Sequence, residues 1–200
     1  VRNCRLKVIQ YLPEKPNAND LVDLTQRDQA IIENRVSELA QQMGFAVPVV
    51  RCLYDARLKE SRKEERHKIE IPLIRSAVQD LLRRENKKPE SIKVEWLKSG
   101  RPILRGKKLA NIKISLSHNG SFLICVAGYG EQGCDIESIV KRSERDWSAL
   151  LGKRKSSLQK SLVNSGFDSD FSGTVVWSAF EAFKKLLNKA DVDFRLSDYY

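Results

Sequence analysis

The chain has 200 residues, 41% hydrophobic and 31% charged, an ordinary globular composition with room for one domain or two small fused lobes. No apolar run approaches the roughly 20 residues that span a bilayer, and no signal-peptide core opens the chain, so a soluble, cytoplasmic protein without a membrane partner is expected. A formal charge of +10 implies an anionic partner but does not choose among nucleic acid, an acidic protein and a phosphorylated small molecule.

Four cysteines (Cys4, Cys52, Cys125, Cys134) include no C-x-x-C pair, and His67 and His118 are the only histidines, which speaks against structural zinc and for reduced thiols. The chain begins at Val1, as a domain taken from a longer polypeptide would.

In chain order, weak alternation over residues 6–11 predicts a strand that ends at Pro13. Ala30, Ile31, Val36, Leu39, Ala40 and Met43 recur at helical spacing before Gly44, which predicts a helix over 26–43. Residues 47–53, β-branched around Pro48, read as an edge or irregular strand. A charge run over 59–68 reads as a solvated helix face and merges into residues 69–84, where Leu73, Ala77, Val78, Leu81 and Leu82 form a helical stripe. Pro72 marks either a kink or a new helix start.

Residues 92–97 alternate as a strand and are followed by a turn over 99–102. Strands are predicted over 112–116 and 122–127, with Ser117-His118-Asn119-Gly120 as the turn between them. Ser143 is a candidate N-cap for a helix through Trp147, Leu150 and Leu151, and 158–162 begins or continues another. A polar loop over 166–173 precedes a helix over 175–189, whose buried stripe is Val176, Ala179, Phe180, Phe183 and Leu187. Residues 192–196 suggest a last strand.

Residues 74–81 line up with 176–183 at an offset of 102, about half the chain, with Gln79 opposite Glu181. Either two amphipathic helices match by chance, or the fold is α+β with two similar lobes, each a small antiparallel sheet and a long packed helix. In the second case the lobes would be residues 1–100 and 101–200, with the functional site in the cleft between them.

Asp135 and Glu137 stand at i and i+2 after the turn at 128–130, so an extended backbone projects both to one side. Glu181 offers a third carboxylate from the last helix, with Lys184 and Lys185 one turn on. Three carboxylates suit a hard divalent cation, and lysines beside them suit phosphate oxygens. Spacing alone leaves a solvated strand end as a rival for Asp135 and Glu137, an exposed loop for His118 and a helix-dipole contact for the lysines. Cys134 and Trp177 are expected to pack in the interior.

Four segments in order, Gly100-Arg101-Pro102, Ser115-Leu116-Ser117-His118-Asn119, Gly133-Cys134-Asp135-Ile136-Glu137 and the run from Trp177 to Lys185, resemble the 4′-phosphopantetheinyl transferases of the two-lobed, surfactin-synthetase type. The resemblance covers about residues 66–185. It implies transfer of the phosphopantetheine arm of coenzyme A to a serine of an acyl or peptidyl carrier protein, with release of 3′,5′-ADP. Matched position by position, Asp135, Glu137 and Glu181 correspond to magnesium ligands, and Ser117 and His118 to residues that hold the 3′-phosphate. Arg101 and Pro102 correspond to residues beside the adenine, Lys185 to the lysine near the reacting phosphates, and Arg66 to a phosphate-binding arginine. Lys184 is a further candidate for coenzyme A. Glu181, or a water it orients, would take the serine proton.

The family pattern W-S-x-K-E-A-x-x-K carries a lysine where this chain has Phe180. Its loss would weaken coenzyme A binding, shift the role to Lys184 or mark a catalytically poor copy. The variant run, with Trp147-Ser148-Ala149 before it, is more similar to transferase domains fused to iterative polyketide synthases, so the chain is expected to be a monomeric pseudo-dimer or a synthase domain. A non-catalytic module of the same fold that binds coenzyme A or a carrier protein is the first alternative. A nucleic-acid-binding protein is disfavoured, since no basic and aromatic binding motif accompanies the charge.

Overall fold

A computed structural model describes residues 21–42, 46–88 and 91–187, so the strands expected over 6–11 and 192–196 lie outside the described residues. The fold is α+β: four α-helices with one three-stranded and one two-stranded antiparallel sheet. The first helix, α1, spans Leu21–Gln42. Ala40 of its apolar set is buried, whereas Ala30 and Ile31 are exposed, so the stripe turned inward is narrower than the spacing suggested. Strand β1 (Val49–Tyr54) follows and is an edge strand, as Pro48 beside it favours.

Helix α2 runs unbroken over Lys63–Arg84 with Pro72 inside it, so Pro72 is not a helix start. The helix begins instead at Arg62, whose backbone N–H donates to Glu65 Oε2 at 3.1 Å. All five residues of the expected stripe are buried on this helix. Strand β2 (Lys93–Trp96) pairs antiparallel with β3 (Pro102–Arg105), a strand the sequence reading missed. Pro102 stands first in that strand, where its missing N–H costs least. Residue 100, the expected boundary between lobes, is the turn of this hairpin, with Gly100 at φ +83°.

The central sheet has the order β1-β5-β4, with β4 spanning Ile112–Asn119 and β5 spanning Phe122–Tyr129. Asn119 pairs with Phe122, so the turn is Gly120 and Ser121 alone, with Gly120 at φ +57°. Ser117, His118 and Asn119 are therefore strand residues, not turn residues. The alternation of β4 then decides which face each serves. Ile112 and Ile114 join Leu123, Cys125, Ala127 and the α2 stripe in the main apolar core. Ser115, Ser117 and Asn119 look the other way.

Residues 131–143 carry no regular structure, and helix α3 (Glu144–Asn164) follows. Ser143 caps it as expected, accepting from Asp146 N–H at 3.2 Å. At Gly152 (φ 68°, ψ 171°) the helical geometry breaks and then resumes. Helix α4 spans Ser169–Leu187 and starts six residues before the expected 175. Asp168 is its cap, with Oδ1 accepting from the N–H groups of Asp170 and Phe171, each at 2.9 Å. Trp147, Leu151 and Val176 form the small core between α3 and α4. The rest of the expected α4 stripe, Ala179, Phe180, Phe183 and Leu187, is only half-buried. No described helix is long and apolar enough to cross a membrane.

Candidate functional site

The face of β4 turned away from α2 carries polar residues at every second position, and residues 134–137 lie against it. Ser115 Oγ accepts from Cys134 N–H at 3.1 Å, Ser117 Oγ donates to Asp135 Oδ1 at 2.8 Å, and Asn119 Nδ2 donates to Glu137 Oε2 at 2.8 Å. The i, i+2 spacing of the two carboxylates thus matches the i, i+2 spacing of the strand beneath them. Cys134, between the strand and these acids, is buried as expected.

Helix α4 closes the cluster from the other side. Lys185 Nζ donates to Asp135 Oδ1 at 2.7 Å, Ser117 Oγ at 2.9 Å and the Cys134 carbonyl at 3.1 Å. Gly133 permits this approach: a Cβ there would stand 2.0 Å from the Ala182 carbonyl oxygen and 2.8 Å from Leu186 N. Only glycine lets the backbone of the acidic segment lie directly on that of α4.

His118, one residue on from Ser117, projects to the α2 face, where Arg66 Nη1 donates to His118 Nε2 at 2.7 Å. A guanidinium only donates, so this bond requires a neutral ring with its proton on Nδ1. The shift agrees: partial burial, then the Arg66 and Lys185 charges, lower the His118 pKa. Arg66 Nε is buried without a hydrogen-bond partner among the described residues. Ser117 and His118, expected at one phosphate, thus bond on opposite faces of the strand end.

Asp135 is the buried acid of the cluster, its side chain 6% exposed, and its Oδ2 has no hydrogen-bond partner among the described residues. The Glu137 carboxyl is held above its ordinary value by desolvation first and by the Asp135 charge second, against hydrogen bonds from Trp177 and Asn119. An orphaned buried carboxylate oxygen beside a second carboxylate that it repels is a donor set that fits a hard divalent cation. Glu181 is not gathered with them: its Oε1 accepts from Lys184 at 2.9 Å, and no group of three or more such ligands converges among the described residues.

Arg101 and Pro102 line a separate recess of about 180 Å³, walled by Leu104, Leu109 and Ile112, with Arg101 bonded to Glu131 at 2.6 Å. Ile112 and Ile114 of β4 line it as well, so recess and acidic cluster lie along one strand.

Several contributors escaped the sequence reading. Asn119 was signalled by the polar alternation of β4, but Gly133 carries no local signal, because its role depends on where α4 passes. Trp177 is half-buried and bonds to Glu137, so it belongs to the site as much as to the core. Lys155 stands 3.9 Å from the centroid of the Phe180 ring. No protein-family model matches the chain, and a search of curated proteins returns no match.

Proposed function

We propose that the chain is a magnesium-dependent phosphopantetheinyl transferase that acts on an acyl or peptidyl carrier protein. The observation that supports this reading is the bonded set Ser117, Asp135 and Lys185, which joins three sequence segments that each carry a family motif. In the same reading the two-lobed organisation applies, with α2 and α4 as the equivalent helices of residues 1–100 and 101–200, as the offset of 102 suggests.

The recess at Arg101 and Pro102 would take the adenine, and its apolar walls suit a flat base. Arg66 with His118, and Ser117 from the other face, would meet the 3′-phosphate. Asp135 and Glu137, with Glu181 brought to them, would hold Mg²⁺. When bound, the ion would offset charge on the pyrophosphate oxygens.

Chemically, the carrier serine oxygen would bond to the β-phosphorus of coenzyme A as the anhydride bond to the 3′,5′-ADP oxygen breaks. Glu181 would accept the serine proton, and Lys185 would neutralise charge on the departing phosphate.

The test is the intact mass of apo carrier proteins after incubation with the chain and coenzyme A, in Mg²⁺ or in EDTA. A gain of one phosphopantetheine group in Mg²⁺ only is expected. Asp135→Ala and Glu181→Ala should lower the rate at least about 100-fold while circular dichroism stays unchanged. Near-normal transfer by Asp135→Ala would overturn the assignment. The pairing of Glu181 with Lys184 favours one second reading, a non-catalytic module of the same fold, which would bind coenzyme A but modify no carrier.

A further inference from the structure

One turn along α2 from the bond between Arg66 and His118, the fold buries a carboxylate that the proposed chemistry leaves unused. The Glu70 side chain is only 8% exposed, and its Oε2 has no hydrogen-bond partner among the described residues. Arg66 Nε, four residues earlier, is buried in the same condition. A cationic donor and a carboxylate acceptor, each costly to bury unpaired, thus stand at i and i+4 on one helix.

The other neighbours of Glu70 do not meet its need. His67 Nε2 lies 3.9 Å from Glu70 Oε2, beyond hydrogen-bond reach, and the His67 ring is stacked on Trp96 with centroids 3.8 Å apart. Burial, then the charges of Lys63 and Arg66, lower the His67 pKa, so this ring is neutral at neutral pH. From β5 the group that couples to Glu70 is the Cys125 thiol, which burial pushes up and keeps protonated. Against the burial of Glu70, the charge that favours its ionised form is that of Arg66.

Arg66 itself is held by little. Its Nη1 donates to His118 Nε2 at 2.7 Å, and its Nη2 reaches the Ser61 carbonyl at 3.4 Å. The shorter bond needs a neutral ring, and a proton on Nε2 would set two donors against each other. Turning the guanidinium to Glu70 would join the two buried orphans and leave open a nitrogen of His118, an exposed residue that water can reach. A neutral imidazole accepts a hydrogen bond without balancing the charge, whereas a carboxylate does both.

We propose that Glu70 is a positioning residue, the second seat of Arg66: when His118 no longer accepts, the guanidinium turns one helical turn along α2 and pairs with the Glu70 carboxylate. Arg66 then has two built positions, and His118 is bonded in one and released in the other. The exchange goes beyond the transferase reading and does not rest on it, since only side chains of this chain take part.

The experiment measures the Glu70 pKa by carboxyl ¹³C NMR in the full chain, with the signal assigned by its loss in Glu70→Gln. His118→Phe removes the acceptor and should lower the Glu70 pKa by about 1–3 units as Arg66 arrives. His118→Ala, at the same exposed position, is a second variant and should give the same fall. His118→Gln keeps an acceptor and should leave the value unchanged. In an Arg66→Met background, His118→Phe should shift nothing. No fall in His118→Phe and His118→Ala would overturn the proposal. An equal fall in His118→Gln would do so too, because it would trace the shift to loss of the ring and not of the acceptor. So would an equal fall without Arg66, which would make the effect a direct one. Neither coenzyme A nor a carrier protein enters this titration, so its outcome and that of the carrier assay are read separately.

Discussion

Among the described residues, the core under α2 buries fifteen apolar side chains, while that between α3 and α4 buries three. The second region is held by polar contacts instead. Trp147 Nε1 donates to Asp170 at 2.7 Å, and the buried Gln159 donates to the Ser169 carbonyl at 3.1 Å. Gly173 brings α4 so close to α3 that a Cβ there would meet the Trp147 ring at 2.5 Å. The main core can therefore fold on apolar burial, whereas the helix pair depends on fit and on a few directional bonds. The candidate site lies at the seam, with Asp135 and Glu137 on the sheet side and Glu181, Lys184 and Lys185 on the helix side.

The largest break in this contrast should come from Ile74→Ala, which empties a fully buried position of the main core. A loss of about 2–5 kcal/mol is expected in denaturant unfolding, with the site and the sheet lost together. Gly133→Ala should act at the seam alone. The added Cβ cannot be accommodated against the α4 backbone, so carrier modification should fall about 100-fold. Amides of α4 should then exchange faster, while those of β4 and β5 stay protected. Loss of protection throughout the sheet would show that the two regions are one cooperative unit.

The smallest effect sharpens the account of the main core. Glu70 is 6% exposed, its Oε2 lies 3.9 Å from His67 Nε2 but has no hydrogen-bond partner among the described residues, and burial holds its pKa above the ordinary 4.5. Ionising it costs the folded state more than the unfolded one, a cost that sets in as the pH rises past the unfolded value. Glu70→Gln should therefore raise the melting temperature at pH 7, and the advantage should fade as the pH falls to about 4, where the unfolded chain also holds the proton. A gain that persists unchanged at pH 4 would point to packing instead of charge.

What was legible in the chain follows the same division. The α2 stripe and the β4–β5 hairpin are regular over many residues, so periodicity and one Asn-Gly step were enough to find them. β3 was hidden because four residues paired to β2 alone leave little pattern. The early start of α4 was hidden because Ser169-Asp170 reads as loop unless Asp168 is recognised as a cap. That Asp135 and Glu137 project to one side followed from their i, i+2 spacing, but their pairing with β4 did not, because Ser117 and Asn119 read as a turn. The approach of Lys155 to Phe180 did not follow either, since it depends on how α3 resumes after Gly152.

Lys185 has only three protons to give, and Ser117, Asp135 and the Cys134 carbonyl take all of them. An incoming anion can reach this ammonium only by displacing one of those acceptors. Occupancy of the site and the grip of α4 on the acidic segment are then linked, each weakening the other by the same factor. Lys185 is thus a latch, and the same bonds that assemble the site must be traded away when an anion binds there.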